Sequence, residues 1–178
     1  MTSIQPGELP SAALLRRYQH GGAYADCYFT DVAGAVSQSA FVEAFYTTPL
    51  FKVERAILKW FAARPSTDID ARRLAEAAVD SFAAWSVEGR TADQLLLADY
   101  TGRTRSWLMA APVVGHAGGA STRLYFGSAV VPRVSARSGK RDLGFTFRAL
   151  LSFHKLYSRA LLSSARARVL TTRRPDTR

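Results

Sequence analysis

Cysteine is nearly absent from this chain. Cys27 is the single one among 178 residues, which excludes an internal disulfide framework and a cysteine-rich zinc site. Histidine is scarce as well. His20, His116 and His154 never fall at H-x-x-x-H spacing, so no metal site is expected. Long uncharged runs are missing. The longest, Ser106 to Thr122, is interrupted by Pro112, Gly115, Gly118 and Gly119, so no helix is expected to cross a membrane. The opening MTSIQPGELP lacks a basic-then-apolar pattern, from which no secretory signal and a cytoplasmic location are expected. The glycines never form G-x-G-x-x-G between a strand and a helix, so no dinucleotide fingerprint exists and no cofactor is expected. No serine sits in G-x-S-x-G, because Gly127-Ser128-Ala129 lacks the second glycine. Nucleophilic catalysis therefore has little support.

Negative charge is missing from one region in particular. Residues 133–178 contain half of the 24 Lys and Arg but only Asp142 and Asp176 among 14 acidic residues. The net charge of +10 therefore lies in the last quarter, attached to a neutral body. Such a segment attracts anionic partners or forms a solvated helix face with a basic tail.

What is present is the composition of a folded domain. The chain is 48% hydrophobic and 21% charged, and its length suits one core. Residues 1–22 read as a polar leader with a short helix over Ala12 to Tyr18, capped by Ser11. Tyr24 to Thr30 reads as a strand. Three helical segments follow: one opened by Ser37 or Ser39, one capped by Thr48 with Pro49 at its first position, and one from Ile69 to Val79 capped by Asp68. Strands are expected at Phe82–Glu88, Gln94–Tyr100, Arg103–Val113 and Ser121–Val131. Their short connections imply an antiparallel meander. A long helix, Asp142 to Arg168, closes the domain. Steps of 100° place Leu143, Phe147, Leu150, Leu151, His154, Ser158, Leu161 and Ala165 on one face, and Arg141, Arg148, Lys155, Arg159 and Arg166 on the other. The expected fold class is α+β: a helix-grip arrangement, with an antiparallel sheet of about five or more strands and a long C-terminal helix packed across it. The domain spans 23–168, followed by a basic disordered tail at 169–178.

Three stretches carry a resemblance. Tyr24-Ala25-Asp26-Cys27-Tyr28 resembles the opening strand of the uncharacterised bacterial family known as DUF2867. Asp93 to Ala98, followed by Gly102 to Leu108, resembles its central hairpin. Phe153-His154-Lys155-Leu156-Tyr157-Ser158-Arg159-Ala160-Leu161-Leu162 resembles the Phe-His-Arg-Leu segment of its final helix. Together they span about residues 23–165. The element order is similar to the wider polyketide-cyclase-like, START-like and Bet v 1-like (SRPBCC) superfamily. The family's central strand often has a His-Leu-Asp run, where this chain has Thr104-Arg105-Ser106, so no site is carried over there. The resemblance implies a helix-grip fold and no established reaction. Related domains are sometimes fused to short-chain oxidoreductases, which implies a redox-enzyme partner.

Candidate chemistry centres on His154, on the apolar face of the last helix. It is expected either as a polar anchor for a small apolar or amphipathic ligand between sheet and helix, or as a general acid or base in a cyclase-, dehydratase- or isomerase-like reaction. The alternative is a core histidine. Ser158 lies one turn further on the same face. Asp26 and Asp99 are the strand carboxylates able to approach His154, and either could face water instead. Trp85, Trp107 and Tyr125 are candidate pocket aromatics. Arg105, in phase with Trp107 and Met109, either clamps an anionic ligand group or is a surface charge. Cys27 reads as a small buried hydrophobe, and His20 and His116 as solvent-exposed. Arg141, Arg148, Lys155, Arg159 and Arg166 form a candidate surface for an anionic partner. Nucleic acid is disfavoured, because small residues rather than aromatics lie between those charges.

Overall fold

Alternation of side chains along three long strands builds a sheet that is buried on both faces. The structure, a computed structural model, describes residues 3–53, 66–114, 119–134, 141–142 and 145–172. Strands β1 (Gln5–Pro6), β2 (Tyr24–Ala33), β3 (Ser81–Phe82), β4 (Trp85–Arg90), β5 (Gln94–Asp99), β6 (Thr104–Val114) and β7 (Ala120–Val130) form one sheet of order β1-β2-β7-β6-β5-β4-β3. Every pairing in it is antiparallel. Helices α1 (Arg16–His20), α2 (Gln38–Tyr46), α3 (Asp68–Ala75) and the 28-residue α4 (Phe145–Thr172) complete the domain, with a two-stranded ribbon of β8 (Arg133–Val134) and β9 (Arg141–Asp142). The fold is α+β, with α4 packed against the sheet as in a helix-grip. Among the described residues no helix is long and apolar enough to cross a membrane.

Local chemistry sets the boundaries. Ser37 caps α2 by accepting from Ala40 N. Thr67 caps α3 through a reciprocal capping box with Asp70; Thr67, rather than Asp68, is the cap because its hydroxyl reaches the N3 amide while Asp70 returns to the Thr67 backbone. Thr48 Oγ1 accepts from Phe51 N at 3.1 Å and opens helical residues 49–53. The expected continuation of that helix lies outside the described residues. The strand expected over Phe82–Glu88 is two strands, split at Ala83, whose φ is 52°. Asp142 belongs to β9 and not to α4, so the last helix starts three residues later than the sequence suggests. It also continues through Thr172, into the stretch expected as tail.

The inner face of the sheet packs under the helices. Phe45 meets Phe126 at 4.8 Å between ring centroids, and Tyr46 meets Phe51 at 4.9 Å and Phe82 at 5.4 Å. From α4, Ser158, Leu161, Leu162, Ala165 and Val169 are buried.

The outer face is covered by the segment expected as a leader. Leu9, Ala13 and Leu15 pack on Cys27, Leu96, Trp107, Met109 and Ala129. One buried side chain fastens this cover. Gln94 Oε1 accepts from Leu14 N and from Trp107 Nε1, each at 2.9 Å, while Gln94 Nε2 donates to Ala12 O at 3.1 Å. Gly127 makes the close approach feasible, since a Cβ there would lie 2.9 Å from both Asp26 O and Leu15 Cδ2.

Gln94→Leu keeps the volume but strands three polar groups in an apolar layer. A loss of about 2–4 kcal/mol is expected, read as a lower urea midpoint at unchanged m. A change below about 0.5 kcal/mol would show that the N-terminal cover is held by apolar contact alone.

Candidate functional site

Between α4 and the inner face lies a cavity of about 640 Å³, within the size range of small-molecule sites. Its apolar walls include Phe45, Leu50, Phe51, Trp85, Phe126 and Leu161. It opens beside Val53, Phe153 and Leu156, which are all exposed.

A polar row crosses the sheet beneath this cavity. In strand register Asp26 pairs with Ser128, and Ser128 with Ser106. These three residues on β2, β7 and β6 share the inner face, because each is an even number of residues from a buried inner-face neighbour: Tyr28, Phe126 and Leu108. Ser106 Oγ meets Tyr46 OH of α2 at 3.1 Å. Ser128 Oγ donates to Asp26 Oδ1 at 2.7 Å, and Ser128 N donates to the same oxygen at 3.2 Å. From α4, His154 Nε2 lies 2.8 Å from Ser128 Oγ and 3.3 Å from Asp26 Oδ2. Tyr24 OH donates to Asp26 Oδ2 at 3.3 Å, and its ring meets His154 edge-on.

Donor–acceptor arithmetic orients the imidazole. An ionised carboxylate only accepts, so the Ser128 hydroxyl proton goes to Asp26. The Ser128 oxygen then accepts from His154, which requires the proton on Nε2. Nucleophilic activation needs the opposite arrangement, with acid and nucleophile on different ring nitrogens. Here both converge on Nε2, so Asp26 holds both the serine and the histidine. The Asp26 side chain is only 10% exposed, and its four donors are what make a buried carboxylate tolerable. Its surroundings respond to it. Burial first, and the Asp26 charge second, raise the Tyr24 phenol above its ordinary value, which keeps it a donor. The same two causes push the Cys27 thiol up to about 12, an inert thiol rather than a reactive one.

Of the residues expected from sequence, His154, Ser158 and Trp85 line the cavity. Asp26, not Asp99, is the carboxylate at His154. Asp99 instead closes the β5–β6 turn, accepting from Arg103 N at 2.8 Å and Thr104 N at 2.9 Å. Trp107 and Tyr125 are not pocket residues. Their strand parity is opposite to Leu108 and Phe126, and they belong to the outer layer under the N-terminal cover. Arg105 contributes to the cavity rim, but its guanidinium is committed on the outer side. It donates to Tyr18 OH at 2.8 Å, pairs with Glu88 at 2.5 Å and lies over the Tyr18 ring. It is neither a ligand clamp nor a free surface charge.

On the basic helix face, Lys155 and Arg159 are exposed, and Arg166 is half-buried. Arg141 belongs to β9, and the side chains of Arg141 and Arg148 lie outside the described residues, as does His116. His20 is exposed at the end of α1. Sequence reasoning missed the roles of Ser128 and Ser106, which depend on register between distant strands, and that of Tyr24, which bonds Asp26 from two residues away on the same strand. Among the described residues no three His, Cys, Asp or Glu side chains gather as a metal-ligating set. No protein-family model matches the chain, and no curated protein matches it.

Asp26→Asn tests the orientation. Its carbonyl would keep the Ser128 bonds and turn the NH₂ toward His154, which must then accept at Nε2 and carry its proton on Nδ1. The imidazole ¹⁵N shifts are expected to exchange accordingly. Retention of the Nε2–H tautomer in the variant would contradict the assignment.

Proposed function

We propose that this chain is a binding module that holds one small, mainly apolar molecule between the sheet and α4, with His154 as a polar anchor. The observation that carries the reading is the cavity itself: aromatic and aliphatic walls, with a histidine braced at its floor by Asp26 and Ser128. Such a combination gives non-directional affinity from apolar burial and orientation from a few fixed polar groups. The α+β fold and the Phe153–Leu162 segment support placing the chain with the DUF2867-like proteins of the helix-grip superfamily. A cytoplasmic location is part of the same reading, in keeping with one buried, unpaired thiol.

A second reading is favoured by one observation, the carboxylate held against His154. A histidine in a fixed tautomer beside an apolar cavity is suited to general acid or base work on a bound substrate. In that case His154→Gln retains ligand binding and the fold but removes turnover.

Native mass spectrometry of the purified chain separates the module from a filled core. A non-covalent adduct is expected that is lost on unfolding. Its occupancy should fall in Ala160→Trp, where an exposed cavity-lining position is filled. A wild-type chain that carries no adduct and binds no added apolar dye would overturn the reading.

A further inference from the structure

Two cavity-lining residues have a buried polar atom with no hydrogen-bond partner: Ser158 at Oγ and Trp85 at Nε1. Neither is easily explained as an ordinary structural group. A serine inside a helix normally returns its hydroxyl to the carbonyl four residues back or shows it to solvent. Ser158 does neither, although it is 1% exposed. An unpaired buried hydroxyl or indole N–H lowers stability, because its desolvation is uncompensated. By contrast, the other polar groups of the floor are satisfied within the protein. Ser106 is bonded to Tyr46, and Ser128 to Asp26 and His154.

The imbalance has a chemical sign. The indole N–H can only donate, and a serine hydroxyl can donate. What these two donors lack is an acceptor. Asp26 does not supply it, being occupied by Ser128, Tyr24 and His154. The Arg105 guanidinium does not add a positive charge to the cavity, since it is held by Glu88 and Tyr18 on the other side of the sheet.

We propose that the ligand of this cavity is a neutral, mainly apolar molecule bearing a carbonyl-type acceptor, and that Ser158 and Trp85 donate to it. The inference rests on the binding-module reading and adds the ligand's functional group. Ser158 stands one helical turn from His154, on the same face of α4. A carbonyl taken by Ser158 therefore lies next to the braced imidazole and the polar floor, while the rest of the molecule lies among Phe45, Phe51 and Phe126.

The test uses the full chain and two fluorescent probes: the naphthyl ketone prodan, and its analogue with the carbonyl reduced to a methylene. Titration of wild type is expected to show tighter binding of the ketone. Ser158→Ala should weaken the ketone about 3- to 10-fold, the loss of one neutral hydrogen bond, and leave the methylene analogue unchanged. Trp85→Phe should show the same selectivity. In the ligand-free chain Ser158→Ala should raise Tm by about 1–4 °C, because it removes an unpaired buried group. If the serine variant affects both probes equally, or neither, or if it lowers Tm, the proposal is wrong while the binding-module reading stands. If wild type binds neither probe the proposal is wrong, and if the purified chain also carries no adduct the binding-module reading falls with it.

Discussion

The ladder between β2 and β7 is the constraint on which the other parts depend. Ten residue pairs, from Tyr24–Val130 to Ala33–Ser121, join the first long strand to the last. A meander of β3 to β7 alone would form from local hairpins. Adding β2 requires closing about a hundred residues of intervening chain, as the sequence separation of 102 between Asp26 and Ser128 shows. Such non-local pairing is entropically expensive and slow to form. It persists because it is anchored on both faces. Tyr28, Val32, Leu124 and Phe126 are buried on the inner side, and Cys27 and Ala129 on the outer. The same ladder puts Asp26 against Ser128, and so creates the polar floor on which α4 places His154.

Burial on both faces also explains how much was legible in the sequence. Strands β4 to β7 and the inward face of α4 through His154, Ser158, Leu161 and Ala165 follow from periodicity and turn residues. The side to which each strand residue points does not. In a half-exposed sheet, alternation of apolar and polar residues tells inside from outside. Here Ser106-Trp107-Leu108-Met109-Ala110 is buried throughout, so parity alone cannot say which set faces the helices. Trp107 and Tyr125 are for that reason expected in the pocket and Arg105 is left between two faces, whereas the N-terminal cover places all three on the outer side. That cover was itself hard to read. Residues 9–15 are mostly apolar, with Leu9, Ala12, Ala13, Leu14 and Leu15, but the segment is short and irregular, and its docking depends on Gln94, a polar residue 80 positions from Leu14.

Asp26 and Asp99 show the same limit from the chemical side. Both end up with satisfied carboxylates, but by different means. Asp99 bonds amides four and five residues away, and Thr101-Gly102 marks a turn there in the sequence itself. Asp26 bonds a strand, a helix and its own strand neighbour. No local pattern announces such a set, because Ser128 and His154 arrive through tertiary structure and only Tyr24 is a local neighbour. The later start of α4 has a related cause. Asp142 has good capping chemistry, and pairing with Arg133 in the ribbon outweighs it.

The arrangement along α4 divides two tasks that a single polar atom could not perform together. A group that anchors a helix to a sheet must have its hydrogen bonds filled by the protein, since every unfilled one weakens the docking. A group that recognises a ligand must keep a bond unfilled until the ligand arrives. The Nε2 atom of His154 meets the first requirement: it is shared by Ser128 and Asp26, and Asp26 is in turn held by Tyr24 and the Ser128 amide. Ser158, one turn along the same face, has a hydroxyl without a partner. The energy lost there is tolerable because the neighbouring Leu161, Leu162 and Ala165 are fully packed. The braced histidine fixes where the helix lies over the cavity, and that in turn fixes where the unpaired donor is presented.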